Sequence, residues 1–279
     1  MAIYDQIEVM RGASGLLSGT GDPSGTVNLV RKKPTASFQG YVSAGLGSWD
    51  QYRTEVDVSG PLTPTGNLRG RAVAAYQQGN SFTDHLQQEK TILYGVMEAD
   101  LSDSTLLTVG AEYLYNDPRG FSTTGLPLLD NKGNRLHTSR SDNPASRDSS
   151  NRQESVNAFA SIEQKLANDW SLKVSANSLY GTREYDSIIV GTTTGFVNAQ
   201  TGSGLGYTAT KGDNTQEQKG LDIMLSGPYQ LMGREHELVV GFNYQSYENR
   251  RNGFGNLLAN GTRSEEHTSE LQSQFRISY

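Results

Sequence analysis

The stretch QYRTEVDVS, residues 51 to 59, alternates polar side chains with apolar or aromatic ones. Successive side chains of an extended strand point to opposite faces, so Val56 and Val58 share one face while Glu55 and Asp57 share the other. A period of two therefore predicts a β-strand with one apolar face and one charged face.

The same alternation recurs along the chain and predicts an all-β fold. Clear runs occupy 93–101, 107–115, 156–162, 170–180 and 238–244, and weaker ones occupy 37–48, 68–78 and 218–227. Together with the opening stretch these runs give nine predicted strands, each about ten residues long. No convincing amphipathic helix lies between them.

The links between the predicted strands differ in length in a regular way. Short links lie at 61–67, 102–104, 166–169 and 228–235, and longer ones at 79–90, 117–152 and 182–216. Long loops at one rim and short turns at the other are typical of an antiparallel transmembrane β-barrel. Two alternatives stay open, namely a soluble β-sandwich that acts as a binding module and a passive porin-type channel.

Aromatic side chains gather near the predicted strand ends, as in the interfacial girdles of membrane barrels. They are Trp49, Tyr52, Tyr113, Tyr115, Trp170, Tyr180, Tyr244 and Tyr247. The mean hydropathy of −0.57 and the hydrophobic share of 34% agree with a barrel. Only alternate strand residues would face lipid, and the long loops are polar.

Composition excludes several classes of function. The chain has no cysteine, so it has no disulfide framework and no thiolate nucleophile. Its net charge of −6, with 24 scattered bases, argues against a nucleic-acid partner. The histidines outside the C-terminal tail, at 85, 137 and 236, lie far apart in sequence, so no metal site is expected.

Residues 4–35 are richer in glycine and resemble no catalytic motif. The spacing of Gly19, Gly21 and Gly25 misses the dinucleotide-binding pattern by one residue. Ser14 lies in GASG rather than in the GxSxG turn that exposes a hydrolase nucleophile. We therefore expect no enzyme and no catalytic residue.

This N-terminal segment carries a family resemblance. IEVMRG at 7–12 and TVNLVRKKPT at 26–35 resemble the end of the plug domain of TonB-dependent outer-membrane receptors. Further stretches resemble the ferric-siderophore branch of that family, namely GSWDQYRTEVDVSGPL, LRGRAVAAYQ, LYGVMEADLSDSTLLTVG and GLPLLDNKG. The resemblance implies that 1–35 is the C-terminal part of a plug and 36–262 the N-terminal part of a barrel, with nine of roughly 22 strands.

The resemblance also implies a function. Such receptors bind a ferric siderophore and import it with energy from TonB and its inner-membrane complex, in the outer membrane of a Gram-negative bacterium. Outer-membrane lipid would surround the barrel. Because the iron arrives already chelated, no resident cofactor and no metal ligand are expected.

Five residues are candidates for specific roles under this resemblance. Arg11, Glu8 and Arg31 would connect plug to barrel wall, because a desolvated arginine–carboxylate pair suits that task. Arg119 and Phe121, in the longest loop, would contact the siderophore, the arginine through charge and the phenylalanine through stacking.

The tail differs from the rest of the chain. RSEEHTSELQS, residues 263 to 273, resembles the conceptual translation of a common sequencing adapter. We therefore expect residues 263–279 to be an artefact and an unrelated tail that add no strand. On the same expectation the chain is a truncated receptor, without function in this exact form.

Overall fold

The computed structural model describes residues 2–12, 25–192, 196–201, 203–256 and 272–278. Two strands, β1 (Tyr4–Arg11) and β2 (Gly25–Arg31), pair antiparallel in a small sheet of their own. The only helical element in the described part is a short 3-10 turn at Ala167–Asp169. No helix among these residues is both long enough and apolar enough to cross a membrane.

All other strands form one large antiparallel sheet in which sequence neighbours are spatial neighbours. In chain order they are β3 (Gln39–Gly47), β4 (Gln51–Pro61), β5 (Leu68–Asn80), β6 (Gln87–Ser102), β7 (Thr105–Arg119), β8 (Ser150–Lys165), β9 (Ser171–Thr192), β10 (Leu205–Leu231), β11 (Arg234–Asn256) and β12 (Gln272–Ser278). The described sheet is open, with β3 at one edge and β12 at the other.

The two faces of the sheet show a reversed polarity. We call the face that carries Glu55 and Asp57 inward, and the face that carries Val56 and Val58 outward. Glu55 and Asp57 are buried at 7% and 2% exposure, whereas Val56 and Val58 are exposed at 41% and 40%. A water-soluble protein hides its apolar side chains, so this arrangement suits a sheet whose outward face meets lipid.

A small hydrophobic cluster lies on the inward face, where the N-terminal residues cover β5 and β6. Its buried members are Ala2, Ile3, Val73, Ala75, Ile92, Tyr94 and Val96. Tyr4, Leu114 and Phe159 pack against them. The start of the chain is therefore held against the inward face of the large sheet.

The predicted strands and their faces are confirmed. Strands β3 to β11 correspond one by one to the nine predicted runs, and they form one consecutive sheet. The predicted lipid-facing residues lie side by side; one row runs Val56, Ala74, Leu93, Tyr113, Val156, Tyr180. The soluble sandwich, which needs two stacked sheets around a dry core, is wrong for the described residues.

The predicted lengths of three strands and one turn are wrong. Strand β11, predicted at 238–244, spans Arg234–Asn256. Strands β9 and β10 stay paired out to Thr192 and Leu205, so most of the predicted loop at 182–216 is strand. Most side chains there are polar, and the apolar Ile188, Ile189 and Val190 follow one another without alternation. The period of two is therefore lost while backbone pairing continues. The predicted turn at 228–235 shrinks to Met232 and Gly233, whose φ angles of 51° and 76° suit a tight hairpin turn.

The expectation that the tail adds no strand is also wrong. Strand β12 pairs with β11, from Val239 opposite Ser278 to Gln245 opposite Gln272. The free side of β11 would otherwise present unpaired N–H and C=O groups, which an extended segment satisfies. Most of the adapter-like stretch lies outside the described residues, and its origin stays a prediction.

Candidate functional site

The link between β2 and β3 is fixed to the inward face by a buried ionic cluster around Asp57. The Nζ atom of Lys32 lies 2.8 Å from Oδ2 of Asp57 and donates to the hydroxyl of Tyr41 at 3.1 Å. Further along the link, the backbone N–H of Thr35 donates to Oγ of Ser59 at 2.8 Å. The link is therefore held to the inward face of the large sheet by an ion pair and by a hydrogen bond from its backbone.

Asp57 is held from a second direction by Arg71 of β5. The Nε and Nη2 atoms of Arg71 donate to the two carboxylate oxygens at 2.8 Å each, a bidentate geometry. Nη1 of Arg71 also donates to the carbonyl of Lys33 at 3.0 Å. Two bases thus compensate one carboxylate that water barely reaches.

A second contact joins the small sheet to the large one. Arg31, the last residue of β2, lies with Nε 3.0 Å from Oε2 of Glu112 in β7. Its guanidinium lies 4.6 Å from the ring centroid of Phe159, and Asn157 donates to the same carboxylate at 3.1 Å. Arg31 therefore combines an ion pair with a cation–π contact on the inward face.

Lys32 and Arg31 both have pKa values above their ordinary range. Burial is the largest influence on Lys32 and lowers its pKa, but the hydrogen bonds to Asp57 and Tyr41 and the charge of Asp57 raise it by more. The contribution of Lys32 to stability is fully present below its ordinary pKa of 10.5 and is lost as the pH rises through the raised folded value. Burial also lowers the pKa of Arg31, and Glu112 more than offsets it.

The other two predicted contacts of the N-terminal segment differ from Arg31. Glu8 accepts hydrogen bonds from Gln6 and Asn28, both within the small sheet. Arg11 is exposed, and its side chain makes no hydrogen bond or ion pair with the residues that the structure describes. The structure thus places Arg31 against the wall and leaves Glu8 and Arg11 away from it. Their proposed roles stay predictions.

A cavity of about 570 Å³ opens on the inward face at the rim with the long loops. Its lining contains three aromatic residues, Trp49, Phe82 and Phe121. The rest is mainly amide side chains, namely Gln51, Asn80, Gln87, Gln88, Asn116, Asn151 and Gln153. No charged side chain contributes to the lining in the described part of the chain, so the cavity offers stacking and neutral hydrogen bonds.

The two predicted ligand contacts lie on different faces of the sheet. Phe121 lines the inward cavity. Arg119 is the last residue of β7 and points outward, where its Nε donates to Asp117 at 3.2 Å. The structure therefore does not bring the two side chains into one surface, and a ligand role for either stays a prediction.

The longest loop, residues 120–149, is braced by both neighbouring loops. Nδ2 of Asn143 donates to the carbonyls of Asp84 and Gly120 at 2.7 and 2.8 Å. On the other side, the N–H of Asn131 donates to the carbonyl of Val197 at 2.8 Å. These bonds tie three loops into one structure above the inward cavity.

No family model matches the chain. Among curated proteins, the ferripyoverdine receptor of Pseudomonas aeruginosa is 47% identical over 261 residues, which are 90% of this chain and 31% of that protein. The ferric-pyoverdine BN7/BN8 receptor of Pseudomonas putida is 42% identical over 255 residues. The chain is a homologue of the ferripyoverdine receptors. The resemblance to TonB-dependent siderophore receptors is thereby confirmed.

Solved structures agree with this homology. The ferripyoverdine receptor of the outer membrane of P. aeruginosa, bound to ferripyoverdine, matches 99% of this chain and 38% of its own with a TM-score of 0.83 and 40% identity. The ferric-catecholate import receptor Fiu of E. coli matches with a TM-score of 0.79 at 14% identity and supports the fold alone. The chain spans about a third of the length of its curated relatives.

The assignment of residues 1–35 to a plug and of residues 36–262 to a barrel stays a prediction. The matched relatives are receptors rather than enzymes.

Among the residues that join the N-terminal segment to the large sheet, the sequence pattern points to Arg31 alone; Lys32, Asp57, Arg71 and Glu112 come from the structure. The alternation around Asp57 carries a signal for these contacts, because a carboxylate on a buried face needs a nearby base. Lys32 is the base that directly follows β2. Arg71 and Glu112 come together with the link only through strand register.

Proposed function

We propose that this chain is part of an outer-membrane receptor of a Gram-negative bacterium that binds a ferric siderophore and imports it with energy delivered through TonB. The observation that carries the proposal is the reversed polarity of the sheet together with strands β1 and β2, which Arg31 and Lys32 join to its polar face. An exposed apolar face suits lipid, and a buried polar face that holds plug residues suits a closed receptor rather than an open pore.

The inward cavity supports a peptide-like siderophore as the ligand. Amide side chains hydrogen-bond readily to peptide groups and hydroxyls, and the aromatic side chains offer flat surfaces for stacking. The relatives in Pseudomonas are named for ferric pyoverdines. We therefore propose a pyoverdine-type ferric chelate whose peptide part contacts Gln88, Asn116 and Gln153 while Phe121 stacks on it.

Transport by this receptor needs no covalent chemistry. The iron is cargo that arrives chelated, so we propose neither a resident cofactor nor a catalytic residue. TonB would act on plug residues upstream of β1, while the Lys32–Asp57–Arg71 cluster keeps the end of the plug on the wall. A passive porin-type channel is the weaker alternative, because a porin has no plug to hold.

In the test, residues 2–256 of this chain replace the matching segment of the P. aeruginosa ferripyoverdine receptor. A strain without its own receptor would carry the exchanged gene. We expect uptake of radioactive iron from at least one ferric pyoverdine, and we expect a TonB deletion to abolish it. Iron uptake that persists without TonB would contradict energised import and support the channel.

Two variants of the exchanged receptor test the cavity. Phe121→Ala removes a stacking surface, worth about 1–2 kcal/mol or roughly tenfold in apparent affinity. Leu128→Ala, on an exposed residue of the same loop outside the cavity lining, is the control. Equal affinities for both variants would place ligand binding elsewhere.

A further inference from the structure

Arg183 lies on the inward face of β9, beside the inward cavity. It is not part of the cavity lining, but it stands directly opposite the lining residue Gln153 on β8. Its Nε atom donates to Oδ1 of Asn151 at 2.7 Å. Asn151 lines the cavity and is only 5% exposed. An arginine outside the cavity is therefore bonded to a buried amide inside it.

The bond from Arg183 decides which end of the Asn151 amide faces the cavity. A guanidinium group donates hydrogen bonds and cannot accept them, so the amide oxygen must turn toward it. The amide nitrogen, Nδ2, has no hydrogen-bond partner among the residues that the structure describes, and it is not sealed from solvent. Asn151 therefore offers the cavity N–H donors rather than a carbonyl acceptor.

Arg183 is itself supported from the next strand. Its guanidinium carbon lies 5.3 Å from the ring centroid of Tyr185, within the range of a cation–π contact. Tyr185 stands directly opposite Gly212 of β10. A Cβ atom at Gly212 would lie 2.3 Å from the tyrosine ring, so any side chain there would displace the ring. Gly212 thus lets Tyr185 lie against β10, where it limits the motion of Arg183.

A second amide of the cavity is fixed in the opposite sense. Nε2 of Gln51 donates to the backbone carbonyl of Asn80 at 2.6 Å. A carbonyl only accepts, so Oε1 of Gln51 is left as an acceptor for the cavity. The pair of Gln88 and Asn116, joined at 2.8 Å, differs because two amides can exchange the roles of donor and acceptor. The cavity therefore has one fixed acceptor on β4 and, through Arg183, one fixed donor on β8.

We propose that Arg183 is a positioning residue that holds Nδ2 of Asn151 ready to donate to a carbonyl or hydroxyl oxygen of the siderophore. The inference rests on the proposed function, which places the ligand in this cavity. An amide that rotates freely presents either its oxygen or its nitrogen, and a ligand must then order it at a cost in affinity. The cavity thereby favours ligands with an oxygen acceptor beside β8 over ligands with an ammonium group there.

Charge alone is the competing explanation for any effect of Arg183. The side chain is exposed, so solvent and salt screen its charge. A direct effect of that charge on the ligand would persist without Asn151, whereas positioning requires Asn151. This difference separates the two explanations.

The first test needs no ligand. It measures nuclear magnetic relaxation of the Asn151 side-chain nitrogen in the full chain, held in detergent micelles, with the signal assigned by its absence in Asn151→Ala. We expect a rigid amide in the unchanged chain and in Arg183→Lys, whose ammonium group donates to the same oxygen. We expect a mobile amide in Arg183→Met, which keeps an unbranched side chain without a donor. An amide equally rigid in Arg183→Met would overturn the proposal.

The second test is a double-mutant cycle in the exchanged receptor, read as the affinity for a ferric pyoverdine labelled with radioactive iron. Arg183→Met and Asn151→Ala should each weaken binding about fivefold to tenfold, the size expected for one hydrogen bond. The double variant should bind no more weakly than Asn151→Ala, because Arg183 acts through Asn151. Arg183→Lys should keep most of the affinity that Arg183→Met loses. Losses that multiply in the double variant would contradict positioning.

Arg152→Met is the matched control. It removes the same charge one residue from Asn151 but on the outward face, where Arg152 lies 3.9 Å from Asp117. Both the relaxation of Asn151 and the affinity should stay unchanged. An equal loss of affinity in Arg152→Met would show that charge rather than position matters, and the proposal would fail.

The two tests also separate this inference from the proposed function. If the unchanged exchanged receptor binds no ferric pyoverdine, the proposed function is contradicted, and the relaxation measurement still decides whether Arg183 fixes Asn151. If the unchanged receptor binds and the losses multiply, the positioning role alone is contradicted.

Discussion

In the sheet of a water-soluble protein, the buried face is apolar and the exposed face is polar. Strand β4 shows the reverse, because its inward face is buried and charged and its outward face is exposed and apolar. Inward, Asp57 is buried and satisfied by Lys32 and Arg71. Outward, Val56 is exposed, and no second sheet among the described residues packs against it. The comparison shows that burial and polarity are separate variables. A charged group tolerates burial when it is paired, and an apolar group tolerates exposure when the solvent is lipid.

The two faces should therefore fail in different ways. The inward face depends on compensation between specific charges, so removal of one partner leaves an uncompensated buried charge. On the outward face, the cost of a substitution depends on its depth in the bilayer and on no particular partner residue. We therefore expect a large, local loss of stability from inward substitutions, and a loss that varies smoothly along each strand from outward ones.

The largest expected effect is on the inward face. Asp57→Ala leaves Lys32 and Arg71 close together without their carboxylate, and we expect a loss of about 3–5 kcal/mol in the free energy of unfolding. The measurement is urea unfolding of the chain folded in lipid vesicles. Thr54→Ala, on the outward face of the same strand, is the control and should stay within about 0.5 kcal/mol. Similar losses in both variants would remove the distinction between the faces.

A smaller effect is expected on the outward face, and it should depend on depth. Met97 is exposed in the middle of the apolar run of β6, and Thr91 lies near its end. Met97→Arg should cost about 2–4 kcal/mol in lipid and Thr91→Arg about 0–1 kcal/mol. The same unfolding assay checks both values. Equal costs at the two positions would argue against a bilayer around this face.

The smallest effect is expected at the contact between Arg31 of β2 and Glu112 of the large sheet. Arg31→Lys keeps the charge but loses the planar group that pairs with Glu112 and stacks on Phe159. We expect a cost of about 1 kcal/mol, seen as faster amide hydrogen exchange in β2. Arg250→Lys is the control, because its pair with Glu248 lies within one exposed strand. Unchanged exchange in β2 would show that Arg31 does not hold β2 against the large sheet.

The sequence was sufficient to predict the strands and their faces. A period of two survives wherever one face of the sheet is apolar and the other polar, as in the runs around Val56, Leu93 and Val156. The signal is lost in β9 after Tyr180 and in β10 before Glu217, because apolar and polar side chains no longer alternate there. Backbone pairing does not need alternation, so the strands run on without a visible pattern.

The sequence was less informative about the sites. Arg31 could be proposed because it belongs to a motif, whereas its partner Glu112 lies in another strand whose register no short pattern reveals. Arg119 and Phe121 are two residues apart, yet the strand ends between them and the side chains occupy different faces. Predicting such placements requires knowing where a strand ends, and the sequence does not mark that point when a polar loop follows the strand.

The two-residue turn at Met232 and Gly233 has a practical consequence for protein engineering. It joins two long strands with no slack, whereas residues 120–149 form a wide surface segment at the other rim. Peptide tags or foreign epitopes should therefore be accepted in that segment and rejected at the turn. The rim with the long loops should therefore tolerate inserted sequence, whereas the rim with the tight turns should not.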